Sequence, residues 1–449
     1  MTETFDYIII GAGAAGSVLA DKLSADGKNT GCVLEAGPKD TNPFIRMPAG
    51  YVKMLNDPTM MWQFKSEPSE GSGGRRVYLP QGRVTGGSTS INGLVYNRGQ
   101  AADVDRWAQL GNEGWSYQDV LPYYRRSESR PQGDPNYRGQ NGPIKVSDVD
   151  ATDPVCDAFI NSVASHGVPA HNDYNGASQR GAGYYQRFIH DTRRVTAASA
   201  FLNPALQRPN LHLRAAHRVL RLLLTGKRVT GVEARPQRHG QPDGEAITLT
   251  ARREVIVCAG TVNSARLLQV SGIGPGELLQ SLGVPVHHDL PGVGENFHDH
   301  YFVRLGFKLK PGTWSLNMQA RGWRLGLQVL RWAMRKPSIL SLSPSVAYAF
   351  VNSAELSANP DLQFVFAPGS YKPGQVYVLD DFPGATCGFT QQRPESIGSI
   401  RITSPDPMVD PAIQPNYLSA EEDKAVAIRG IRLARRFSES APLAHLLQA

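Results

Sequence analysis

Residues 5–37 read FDYIIIGAGAAGSVLADKLSADGKNTGCVLEAG, and the fold follows from this stretch. Residues 5–10 are a short run of apolar β-formers, predicted as a buried strand. The run leads directly into Gly11-Ala12-Gly13-Ala14-Ala15-Gly16. Val18, Leu19 and Leu23 then recur with helical spacing, and Gly27 is placed to stop the helix. GCVLEAG supplies a second strand ending at Glu35, 19 residues after Gly16. This strand–turn–helix–strand order is that of a dinucleotide site. Gly11 allows the tight turn, Gly13 lets the backbone approach a pyrophosphate, and Gly16 lets helix and strand pack closely. Free N–H groups at the helix start face the phosphates, and Glu35 can accept from ribose hydroxyls. The fingerprint alone does not separate FAD from NAD.

The composition agrees with a large folded chain. There are 449 residues, 41% of them hydrophobic, enough for a substantial core. The 45 glycines and 32 prolines exceed the ~12% average share but fall short of the ~25% at which disorder becomes the better reading. The net charge of +7 comes from scattered arginines with no zinc-finger, RRM or basic-zipper pattern, which argues against nucleic-acid binding. The cysteines, Cys32, Cys156, Cys258 and Cys387, form no CxxC pair. Neither a structural zinc nor a disulfide scaffold is therefore expected, and a reducing cytoplasm is the expected location. No run approaches the ~18 apolar residues of a membrane span, and the N-terminus is not a secretory signal.

Two later stretches sharpen the reading. Residues 81–96, QGRVTGGSTSINGLVY, form a glycine- and hydroxyl-rich loop whose backbone can press against a flat or phosphorylated ligand. Residues 260–275, GTVNSARLLQVSGIGP, follow a strand at 254–259 (EVIVCA) and read as a helix stopped by Gly272 and Pro275. Together they resemble the two signatures of the glucose–methanol–choline (GMC) flavoprotein oxidoreductases, choline dehydrogenase-like members above all. MWQFKSEP at 61–68, GWSYQDVLPYYRRSE at 114–128, NGPIKVS at 141–147, RRVTAASAFL at 193–202 and SIGSIRITSPDPMVDPAIQPNYLS at 396–419 also resemble family segments, in order.

The resemblance implies FAD rather than NAD, and oxidation of an alcohol with oxygen or a quinone as electron acceptor. Gly11, Ala12, Gly13, Ala14, Ala15, Gly16 and Glu35 match the ADP-binding turn. Val84, Gly86 and Ser88 match the loop against the pyrophosphate and ring. Asn92, Gly93, Leu94 and Val95 match the segment along the isoalloxazine, and Val219 the residue whose backbone meets adenine. Thr85 and Ala265 depart from the usual residues by small changes that adjust packing. Ile91 stands where some relatives carry a flavin-linked histidine, so the FAD is expected to be non-covalent.

The family's catalytic histidine sits in a motif like HPxGTxxMG, which this sequence does not contain. His445 has none of that motif around it, His287 and His288 precede a loop, and His298-Asp299-His300 is a weak metal-like cluster for which a structural or flavin-proximal role is expected. No metal and no catalytic base are assigned. The expected architecture is α/β: a Rossmann-like FAD-binding domain (1–148 and 205–304) and an α+β substrate domain on an antiparallel sheet (149–204 and 305–449). The resemblance suggests C-terminal truncation, with the catalytic segment absent. Such a chain would be a weakly flavinated, catalytically silent flavin-binding fragment with bare apolar surface. PDLQFVFAPG, QVYVLDDF and GSIRITSPDP are read as strands of the antiparallel sheet. Around 321–335, Arg321, Arg324, Arg331 and Arg335 share one helical stripe, and Trp323, Leu327, Leu330 and Met334 another. A solvated helix over the substrate domain satisfies this pattern. So does a weak peripheral association with the inner face of a membrane.

Overall fold

The computed structural model describes residues 3–354, 359–372, 374–375 and 378–448. Strand β1 (Glu3–Ile10) leads through the glycine turn into helix α1 (Ala14–Ser24) and strand β2 (Gly31–Leu34). The sheet is completed far along the chain by β3 (Leu211–Arg214), β4 (His217–Thr225), β5 (Arg228–Arg238) and β6 (Ile247–Val257), followed by helix α2 (Gly260–Val270). Its order is β3-β2-β1-β6-β5-β4. The first four of these strands run parallel and the last two antiparallel. Tyr7 is in register with Glu254 on one side and with Gly31 on the other.

β1 is apolar on both faces because both are covered, as parallel sheets require. Ile8 and Ile10 pack with Leu34, Val232 and Leu267. Ile9 points the other way, among Ala20, Val33, Leu202 and Leu211.

A second sheet is built from β7 (Phe302–Lys308), the strand Gly181–Tyr184, and the strands that follow helix α3 (Gly322–Ala333), namely β8 (Ala347–Val351), β9 (Leu362–Ala367) and β10 (Gly384–Gln391). It is antiparallel throughout, in the order β7-β10-β9-β8 and then Gly181–Tyr184. Of the three segments expected as its strands, PDLQFVFAPG supplies β9. GSIRITSPDP instead pairs Ser399–Arg401 with Ala412–Gln414 in a separate two-stranded ladder. The described residues of QVYVLDDF fall in no strand beyond an isolated bridge of Leu379 to Tyr371; Val376 and Tyr377 lie outside the described residues.

The C-terminal part of the chain covers this sheet. Helix α4 (Glu421–Glu439) and the helix Pro154–Ala164 lie on one face. Phe159 stacks on Phe366 at 4.5 Å between ring centroids, and Phe437 meets Phe364 edge-on at 5.4 Å. Beyond α4, Leu447 bridges to Leu309, and Gln448 N–H donates to the Lys308 carbonyl at 2.9 Å. These helices cover one face of the antiparallel sheet, while Ile397, Val409 and Ile428 stay exposed. Phe437 is 2% exposed, so Phe437→Ala should lower stability by about 3–5 kcal/mol. A shift of the denaturant midpoint, at unchanged slope, measures that loss.

Candidate functional site

The glycine turn, the 81–89 loop, β4 and α2 converge on a cavity of about 480 Å³. Gly11, Gly13, Ala14, Ala15, Glu35, Ser88 and Val219 all line it. Helix α1 begins there with Gly13 at its N-cap, with no side-chain cap and no acid in its first turn. Its first N–H groups are consequently available to an anion, and the helix dipole favours negative charge there.

The turn and the 81–89 loop are fastened backbone to backbone. Gly86 N–H donates to the Ala12 carbonyl at 2.8 Å. A Cβ on Gly16 would lie 1.9 Å from the Gly11 carbonyl oxygen, and one on Gly87 would lie 2.7 Å from the Gly13 Cα. Ala12, Gly16, Val84 and Gly86 thus shape the cavity from behind, and Val84 is fully buried. Asn92, Gly93, Leu94 and Val95 do not line it. Asn92 Oδ1 accepts from Arg194 at 2.8 Å, the Leu94 carbonyl accepts from Phe188 N–H at 2.8 Å, Gly93 abuts Pro344, and Val95 bridges to Arg187. That segment is tied to the side of the second sheet.

Glu35 is buried, with its carboxylate accepting from Ala12 N–H at 2.9 Å and Gly37 N–H at 2.8 Å. Burial pushes its pKa up to about 6, against the pull of those two donors and of Arg83. Trp62, on the same wall, carries three guanidiniums over its ring: Arg83 at 4.7 Å, Arg218 at 5.1 Å and Arg266 at 5.5 Å. Asp410, 3.4 Å from Arg266, is the carboxylate paired with this group. Burial, reinforced by the neighbouring arginines, brings Arg218 down to about 9, and burial brings Arg266 down to about 10. Arg83 Nε, Arg218 Nε and Asn263 Oδ1 are buried without a hydrogen-bond partner. Excess positive charge and unpaired polar atoms around an uncapped helix start suit an anionic, hydroxyl-bearing ligand. The residues present fit a dinucleotide.

Trp62, Arg218, Arg266 and Asn263 were not singled out by sequence reasoning. Asn263 and Arg266 lie inside the second signature-like stretch, and Arg218 directly precedes Val219. Among the described residues His217 is the histidine on this wall, with Nδ1 at the Ala215 carbonyl, 2.9 Å away. His298 and His300 reach the carbonyls of Pro394 and Gln392, at 3.2 and 3.1 Å, and Asp299 accepts from the Tyr417 hydroxyl. The three side chains thus tether neighbouring segments, and no metal-binding group of three is present among the described residues.

Comparison with known proteins places this geometry in a family. The N-terminal model of the GMC oxidoreductases matches residues 5–302, and the C-terminal model matches 394–448. The chain belongs to the GMC oxidoreductases. As a member it is an FAD-dependent oxidoreductase acting on alcohols. It is 39% identical over 438 residues to the oxygen-dependent choline dehydrogenase of Photobacterium profundum, covering 97% of this chain and 76% of that protein. The Rhizobium rhizogenes protein of the same name is also 39% identical, over 96% of this chain and 77% of its own length. Among solved structures, pyridoxine 4-oxidase from Mesorbium loti superposes with a TM-score of 0.86 at 27% identity, covering 99% of this chain and 82% of that one. A formate oxidase superposes at 0.88 and 21% identity, covering 100% and 83%, which speaks for the fold alone. The family's C-terminal model falls on residues 394–448, and the chain spans 76–77% of the length of these two curated relatives. No helix of the described residues is long and apolar enough to cross a membrane.

Protonating Glu35 should act in opposite directions on fold and ligand. Its folded pKa, about 6, lies above the ordinary 4.5. The ligand-free fold therefore gains stability as pH falls from about 6 to about 4.5, by at most about 2 kcal/mol. Ribose hydroxyls placed at Glu35 would need the carboxylate as acceptor, so FAD affinity should instead weaken below about pH 6. Flavin titrations across pH 5–8 (an interval of roughly the range in which this group changes charge) should show that fall, and Glu35→Gln should flatten it.

Proposed function

We propose that this chain oxidises a primary alcohol to the aldehyde with a non-covalently held FAD. The observation that carries the reading is the convergence of the uncapped α1 start, Glu35, Ser88 and Val219 on one cavity. In this reading Gly11, Ala12, Gly13, Ala14, Ala15 and Gly16 present the backbone that meets the pyrophosphate. Glu35 accepts from the ribose and the Val219 backbone meets the adenine. Val84, Gly86 and Ser88 set the loop against the pyrophosphate and ring, while Asn92, Gly93, Leu94 and Val95 run beside the isoalloxazine. Bound FAD supplies an acceptor at N5 for the hydride leaving the alcohol carbon.

The proposed domain division follows the sheets. Residues 1–148 and 205–304 would form the FAD-binding domain, since β1 to β6 fall there. Residues 149–204 and 305–449 would form the substrate domain, where most strands of the second sheet fall. His217 sits beside Val219 at the adenine end of the cavity, so it is not proposed as the proton acceptor.

Two measurements test the proposal. Acid precipitation should release all the yellow chromophore into the supernatant; colour retained in the pellet would refute non-covalent binding. Anaerobic addition of choline or of aliphatic or aromatic primary alcohols should bleach the visible flavin band, and readmitted oxygen or an added quinone then identifies the acceptor. A flavinated chain that no alcohol bleaches would overturn the assigned reaction.

A further inference from the structure

Helix α3 turns its apolar stripe away from the protein. Its half-buried positions are Leu325, Gln328 and Trp332, and Trp332 Nε1 donates to the Thr192 carbonyl at 3.0 Å. On the opposite side Trp323, Leu327 and Leu330, with Met334 just past the helix end, form a stripe open to solvent; Trp323 is 76% exposed. No residue of the helix is buried. A merely solvated helix would place these faces the other way round.

One flank of the stripe is cationic. Arg324, Arg331 and Arg335 line it, Lys336 follows, and no Asp or Glu occurs between Asp299 and Glu355. Two basic groups have partners from elsewhere: Arg321 pairs with Asp381 at 2.6 Å, and Arg335 lies 4.0 Å from Asp191. Arg331 Nε donates to the Pro337 carbonyl at 2.8 Å. Among the described residues no carboxylate pairs with Arg324, Arg331 or Lys336.

We propose that α3 docks the protein on an anionic lipid surface. The helix would lie in the membrane plane, with Trp323, Leu327, Leu330 and Met334 at the acyl boundary and the basic flank at the headgroup phosphates. An exposed tryptophan on an apolar stripe bordered by arginines is the composition of an interfacial helix. A second copy of this chain is the poorer occupant. A two-fold interface would set this basic patch against itself, with no acid on the helix to answer it. Nothing in this surface depends on the flavin site.

Co-sedimentation of the flavinated protein with vesicles tests the proposal. Binding is expected to phosphatidylcholine vesicles containing phosphatidylglycerol, and to fall at high salt. Arg324→Glu with Lys336→Glu should reduce it roughly tenfold or more. Leu327→Ser with Leu330→Ser should abolish it. Both pairs are exposed and take no part in lining the cavity, so flavin content should not change. Absence of binding to the anionic vesicles, equal binding to pure phosphatidylcholine, or undiminished binding by both double variants would each overturn the proposal. So would a dimer in analytical ultracentrifugation that Leu327→Ser with Leu330→Ser dissolves.

Discussion

Two close backbone approaches hold the site together. Gly16 lets α1 start against the carbonyl of Gly11, and Gly87 lets the 81–89 loop rest on the Cα of Gly13. Any side chain at either position would separate the three segments. The separation would reach the chemistry at once, because the same contacts aim the first N–H groups of α1 into the cavity and set Ser88 beside them. Side-chain packing in the two sheets supports this arrangement without creating it. The sheets supply rigid strand ends, and the glycines determine how near the loops come to one another.

The cavity is also electrostatically unbalanced. A carboxylate and three guanidiniums are drawn into a poorly solvated wall, and each is displaced from its ordinary titration by burial. Such groups cost stability in the empty fold. A ligand that brings phosphates to the cations and hydroxyls to the carboxylate relieves that cost. The strain of the free site and the affinity of the occupied one are two aspects of one charge arrangement. Trp62 lets the arginines gather, since its ring face offers a cation a favourable surface without a counter-charge.

What was legible in the sequence was local. The strand, turn, helix and second strand between Glu3 and Leu34 depend on neighbours, so glycine spacing and hydrophobic runs revealed them. The gathering of Arg83, Arg218 and Arg266 over Trp62 was hidden, because those residues are brought together only by long-range strand pairing. QVYVLDDF carries the composition of a strand but finds no partner strand among the described residues. Periodicity showed that α3 has an apolar and a basic stripe. It could not show which side Trp332 would anchor to the protein, and that anchoring decides which stripe meets solvent. Nothing in the local sequence from Asn92 to Val95 shows that Arg194, Phe188 and Pro344, all distant along the chain, would hold that segment.

The pairing of Tyr7 with Glu254 has a consequence for biosynthesis. The first strand leaves the ribosome long before the strand that flanks it, and the helix after that strand ends only at Val270. At roughly 5–20 residues per second of elongation, the amino-terminal segment waits some tens of seconds with an apolar edge unpaired. Until then the wall contributed by α2 does not exist, and the cavity is incomplete.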